Sequence, residues 1–354
     1  MLDKVGVAIA LFIFLLPSAF GSGAGSSVGI MMATEDFQPM VWLCDHRIVL
    51  DDYIEPGRRS AGGTRLVERI ENYAFEGEQI AWKVLVMDKN GIGNVGEVYI
   101  GISPVGSNAF DKEAECSLDT IVMGKIDLSC NARIHEEQQK YFDPDTMAYY
   151  TCIFTVEPPG ISSMYGEYYI SVIAEDLSGL VCQMAEYWFF NPQIALAIDG
   201  VIDFGIARPG TISYSSTVLV GNEADYGSGV LLDMFIAGTD FYDPASSAAR
   251  CPYTNQLSLD RVRYFAANGA YSTQSMGCGL PVVDLEGYSL IPHGNKLSRA
   301  KEIIGCDMYN SGSYNPGNIL APGAEIALTF RLSLPIPCTG SFSDGSIYFW
   351  GEAV

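Results

Sequence analysis

Short apolar runs with a period of two, each ended by Gly, Pro, Asn or Asp, constrain this chain most. In residues 80–87, Ile80, Trp82, Val84 and Val86 share one face before a turn at Asp88-Lys89-Asn90-Gly91, and Val98, Ile100 and Ile102 resume the alternation. Residues 147–157, 168–175 and 180–190 repeat the pattern, the last two joined by Asp176-Leu177-Ser178-Gly179. In the second half it returns at residues 213–221, 230–237, 326–334 and 345–354. A period of two places alternate side chains on opposite faces of a strand, and strands this short need neighbours to bury one face. With 37 Gly, 17 Pro, 20 Tyr and 17 Phe, turns and strands are favoured over long helices. The fold class expected is all-β, two tandem β-sandwiches that divide at Asn191-Pro192. Residues 41–193 form an immunoglobulin-like sandwich, in which residues 64–74 read as a strand. Residues 194–354 form a second, jelly-roll or immunoglobulin-like sandwich with long disulfide-bearing loops.

The first 40 residues read differently. Residues 5–16 (VGVAIALFIFLL) are continuously apolar, preceded by Lys4 and followed by Pro17, Ser18 and Ala19. Twelve residues are too few to span a bilayer and fit the apolar region of a secretory signal, so residues 1–21 are expected to be removed on export. Residues 22–40 follow as a flexible extension. No later run is long and apolar enough to predict a membrane span in the mature chain. The cysteines agree with an extracellular address: Cys44, Cys116, Cys130, Cys152 and Cys182 in the first half, and Cys251, Cys278, Cys306 and Cys338 in the second. No CxxC pair occurs, and the wide spacing predicts disulfides in an oxidising compartment. Four cysteines in the second half allow two bridges in three connectivities. Five in the first half leave one odd thiol, either buried or cross-linking.

The chain carries 42 acidic and 20 basic residues, a net charge of −22. Nucleic acid is excluded as a partner, because phosphate contacts need clustered Lys and Arg. Anionic membrane surfaces are disfavoured for the same reason. The acidity is uneven: residues 22–193 hold 26 acids and 11 bases, residues 194–354 hold 15 and 8. That assigns the first sandwich to solvent or cations and the second to closer packing.

Two stretches support a resemblance. YAFEGEQIAWKVLVMDKNGIGNV, followed later by GEYYISVIAEDLSGL, resembles immunoglobulin-like domains of bacterial and archaeal surface proteins over roughly residues 64–190. The opening Phe204-Gly205 with Pro209-Gly210, before a strand ending Val220-Gly221-Asn222, resembles camelysin and TasA-like fibre proteins and surface-layer-associated modules over about residues 194–240. The whole chain is similar to exported archaeal surface proteins. The resemblance implies a sandwich fold at the cell surface and names no activity.

Residues able to do chemistry are sparse. The three histidines, His46, His135 and His293, lie in separate segments, and no P-loop, dinucleotide fingerprint or G-x-S-x-G elbow occurs. Asp143 with Asp145, and Glu136 with Glu137, are close in sequence but read as solvated loops. No enzyme is predicted, and no cofactor beyond calcium. Asp88 and Asn90 open a loop like that of a calcium site, although the Gly falls at the fourth place instead of the sixth. Asp240 and Asp243 are a second carboxylate pair for an ion. Two aromatic clusters, residues 187–190 and 348–350, read as core with a carbohydrate-stacking platform as the alternative. The function expected is an extracellular structural or adhesive subunit of a cell-surface filament, pilus or surface layer. Val28, Ile30 and Met32 alternate within residues 22–34 and are candidates for a strand donated to a neighbouring copy. The alternative is a secreted glycan- or partner-binding module.

Overall fold

The computed structural model describes residues 34–50, 71–107, 110–119, 124–130, 139–160, 164–246, 248–310 and 313–354. The expected signal sequence, Val28, Ile30, Met32, His135, Glu136, Glu137 and residues 64–70 of the predicted strand lie outside them. Residues 37–354 form one compact unit. Among the described residues there are strands and short 3-10 turns only, and no helix is long and apolar enough to cross a membrane.

Among the described residues nine strands build the first half: β1 (Met40–Leu50), β2 (Tyr73–Ala74), β3 (Gln79–Met87), β4 (Val95–Pro104), β5 (Asp111–Glu115), β6 (Ser117–Leu118), β7 (Met147–Thr155), β8 (Gly166–Asp176) and β9 (Val181–Phe190). They form a four-stranded sheet ordered β1-β3-β7-β6 and a five-stranded sheet ordered β2-β9-β8-β4-β5. Every pairing is antiparallel except β2 with β9. The predicted alternation sets the packing. Ile80, Trp82, Val84 and Val86 of one sheet meet Val98, Ile100, Ile102, Ile170 and Val172 of the other in a common core. Trp82 and Trp188 pack edge to face at 5.6 Å, and both indole N–H groups donate to Glu186 Oε2, at 3.2 and 3.4 Å. Leu85 and Met87 face the other way, into a smaller core with Ile126 and Tyr149, beside the Cys44–Cys130 bridge. Burial on both faces explains why residues 84–87 lack polar alternation.

Twelve strands build the second half: β10 (Leu196–Asp199), β11 (Ile212–Asn222), β12 (Leu232–Gly238), β13 (Phe241–Tyr242), β14 (Gln256–Leu257), β15 (Val262–Asn268), β16 (Tyr271–Ser272), β17 (Ser289–Leu290), β18 (Lys301–Glu302), β19 (Ile319–Leu320), β20 (Glu325–Ser333) and β21 (Ile347–Ala353). One sheet runs β10-β11-β20-β15-β16 with β17 also on β15; the other centres on β12, with β21 along one side and β18 and β19 on the other. Val218, Val220, Tyr264, Ile326, Leu328 and Phe330 pack against Leu232, Met234 and Ile236 across the sandwich. Tyr73, Phe75 and Phe189 of the first half join this second core. The Tyr73 hydroxyl donates to the Val354 carbonyl at 2.6 Å, and the Tyr165 hydroxyl to Asp225 at 3.0 Å. Asn191, at the junction, holds φ 52° while its side chain donates to the carbonyls of Glu157 and Met164.

β12 is buried at every position, yet it carries Asp233. One oxygen of that wholly buried carboxyl accepts from Asn318 Nδ2. The other has no hydrogen-bond partner among the described residues. Lys301, also buried, donates to the Tyr264 hydroxyl and to the carbonyls of Glu302 and Gly305.

Eight cysteines pair as Cys44–Cys130, Cys116–Cys152, Cys251–Cys338 and Cys278–Cys306. The second half thus realises one of its three connectivities, and the odd thiol is Cys182, half-buried on β9.

Candidate functional site

The outer face of the five-stranded sheet carries the most distinctive constellation. On β4, β8 and β9 the residues that alternate with the core positions point away from the sandwich. Register aligns them in rows: Ser103, Tyr169 and Tyr187; then Gly101, Ser171 and Ala185; then Tyr99, Ile173 and Gln183. The middle row is made of small residues, so it forms a furrow across three strands. Phe110 lies on it. A Cβ built on Gly101 falls 1.8 Å from the Phe110 ring, so the ring rests against backbone that only glycine leaves bare.

Beside the furrow, Tyr169 and Tyr187 meet across β8 and β9, centroids 6.1 Å apart and planes 77° apart. Both rings and Phe110 stay open to solvent, at 42%, 36% and 44% exposure. The Tyr187 hydroxyl donates to Glu167, and it is pushed up to about 12, first by desolvation and then by that carboxylate. Tyr187 therefore keeps its proton at any physiological pH. The rings offer flat apolar surface, while Glu167, Ser103 and Gln183 set acceptors and donors around it. Flat apolar rings bordered by fixed polar groups suit a ligand with one apolar face and a hydroxylated edge.

The sequence placed one member of this set in an aromatic cluster, Tyr187, whose neighbours Trp188, Phe189 and Phe190 are core. Tyr168 likewise turns inward onto Phe190 at 5.4 Å, leaving Tyr169 outside. Phe110 and Gly101 were missed; strand alternation alone separates Tyr168 from Tyr169, but no local signal brings Phe110 onto β4. In the second aromatic cluster, Trp350 packs against the buried Phe235–Ala237 side of β12.

The ion candidates each accept from a backbone amide. Asp88 Oδ1 accepts from Asn90 N at 2.7 Å, and Asn90 Oδ1 accepts from Phe37 N at 2.8 Å. Asp240 Oδ1 accepts from Leu259 N at 2.7 Å, and its other oxygen accepts from Gln256. Asp243 accepts from the amides of Ala245, Ala248 and Ala249. Among the described residues no three His, Cys, Asp or Glu side chains gather as metal ligands. Asp143 closes a turn on Asp145 N and Thr146. His46 lies on β1, far along the chain from His293, which sits between Asp240 at 3.7 Å and Asp260 at 3.5 Å.

No protein-family profile matches the chain. No curated protein matches it either. Seven chains among the solved structures do. One belongs to a study titled "Structural basis for the promiscuous specificity of the carbohydrate-binding modules from the beta-sandwich super family", with 9% identity, a TM-score of 0.24, and coverage of 90% of this chain and 98% of that one. Superposition at that level leaves fold and ligand to be read from the strands and side chains themselves. By those, the chain is an all-β protein of two packed sandwiches held by four disulfides.

Proposed function

We propose that the chain is an extracellular adhesive module that binds carbohydrate on the outer face of its five-stranded sheet. The observation that carries this reading is the Tyr169–Tyr187 pair beside the Gly101–Ser171–Ala185 furrow with Phe110 lying on it. A pyranose presents axial C–H groups on its faces and hydroxyls at its rim, which matches rings flanked by Glu167 and Ser103. The four disulfides support an oxidising, extracellular setting. If each ring loses about 50 Å² of apolar surface to a sugar, it contributes about 1.2 kcal/mol. Three rings then contribute about 4 kcal/mol before the cost of association, so binding is about millimolar or weaker, weak for one copy and effective when many copies face one surface.

The test is binding of the oxidised chain to a panel of neutral hexasaccharides, cellohexaose, chitohexaose and mannohexaose, followed by quenching of intrinsic fluorescence. Saturable binding to at least one, weakened in Tyr169→Ala and Tyr187→Ala, supports the proposal. Binding to none, or binding unchanged in both variants, overturns it.

A second reading is a structural subunit that accepts a strand from a neighbouring copy. It is favoured by β21, which among the described residues pairs with β12 alone and so offers an open edge. Oligomers that persist unchanged by light scattering after deletion of residues 22–34 refute donation by that segment.

A further inference from the structure

The second sandwich is unfinished at one end. Between its sheets lies a cavity of about 610 Å³, walled by Val262 and Leu332 from one sheet and Ile347 from the other. The chain that follows β10 lines it with Phe204 and Ala207, and residues 338–345 add Phe342. Six side chains that pack on the core but stay half-exposed, Phe204, Ala207, Phe241, Leu334, Phe342 and Ile347, all line this cavity. Ile206, also in the lining, is 95% exposed. The Cys251–Cys338 bridge anchors one wall.

The chemistry of the lining selects the occupant. It holds no ionisable side chain; Thr339 supplies its one hydroxyl. An anionic head or tail would find no counter-charge there and would approach a chain of net charge −22. The volume lies within the range of small-molecule sites, about 300–1,000 Å³. It is roughly four times the 150 Å³ apolar cavity that takes up benzene. Leaving six core side chains half wet is unfavourable, and an apolar occupant recovers that area at about 25 cal/mol per Å². We infer that this cavity is a binding site for the alkyl chain of an uncharged lipid, separate from the carbohydrate face on the other sandwich.

The experiment uses the full oxidised chain and Nile red, a neutral probe whose emission shifts blue in apolar surroundings, with 1-dodecanol and dodecanoate as competitors. Expected are saturable one-to-one binding, displacement by dodecanol, and displacement by dodecanoate weaker by about tenfold or more, because the charged end must leave water. Ala207→Trp fills the cavity from the crossing loop and lowers Nile red affinity by about tenfold or more. Leu334→Trp repeats the test from the residue that follows β20 in case one variant does not fold, and an unchanged circular dichroism melt qualifies each variant. No binding by the wild type, equal displacement by dodecanoate, or full binding by a folded tryptophan variant overturns the inference.

Discussion

Replacing Asp233 by asparagine tests how the second sandwich tolerates a carboxyl in its interior. Burial, aided by the nearby Glu302 and Glu352, raises the Asp233 carboxyl from 3.8 to about 8 in the folded chain; the Asn318 hydrogen bond opposes the shift. Between pH about 4 and 8 the folded state therefore keeps a proton that the unfolded state has released. Stability from this group is greatest below the unfolded value and falls as pH rises through the window, by about 1.4 kcal/mol per pH unit. Over the whole window the loss is about 6 kcal/mol. The amide of Asp233→Asn cannot ionise, so the variant carries a constant offset of about 1–3 kcal/mol for one poorly paired group and no such slope. Urea unfolding at intervals from pH 4 to 8 should show the two curves converging or crossing, with the variant gaining on the wild type throughout. Lys301, which burial lowers to about 7, contributes in the opposite direction in both proteins and cancels in the difference. A wild-type-minus-variant difference that stays flat from pH 4 to 8 refutes the argument.

Three other perturbations follow from the geometry. Removing Cys251–Cys338, which spans 87 residues, should destabilise the chain by about 4–5 kcal/mol, against about 3–4 for Cys278–Cys306, which spans 28, by loop-closure entropy; paired Cys→Ala variants compared by urea unfolding measure the order. Gly340→Ala should destabilise by about 2 kcal/mol or more, because residue 340 holds φ 96° and its new Cβ meets Ala249 Cα at 2.5 Å; thermal unfolding reads it. Gly101→Val should leave the melting temperature nearly unchanged while driving Phe110 off the furrow, since the obstructing atoms are a side-chain ring; sugar titration should then show weakened binding without loss of fold.

The strands were legible because their chemistry is local. Ile80, Trp82, Val84 and Val86 alternate in the sequence and alternate in the core, and Asp176-Leu177-Ser178-Gly179 turns where its composition says it must, with Asp176 Oδ1 accepting from Ser178 and Leu180 amides. The disulfides were legible as a count, one odd thiol included, but the partners were not: Cys44 and Cys130 lie 86 residues apart, and only the fold brings them together. The face carrying Tyr169 and Tyr187 was half legible. Alternation sends Tyr168 inward and Tyr169 outward, whereas Phe110 reaches Gly101 through a sheet edge that pairs β4 with β5. The cavity under Phe204 and Phe342 was not legible at all, since it is a shortage of side-chain volume where several loops meet. Asp88, Asn90, Asp240 and Asp243, read in the sequence as ion candidates, each accept from a backbone amide.

The most direct test of the central claim is calorimetric titration of the hexasaccharide that binds best into the wild type and into the Tyr169→Ala/Tyr187→Ala double variant, both confirmed folded. The aromatic face predicts a weak wild-type affinity, about millimolar or weaker, that falls below detection in the double variant, at about tenfold lost for each ring. An affinity that survives the loss of both tyrosines would place the sugar elsewhere and contradict the assignment.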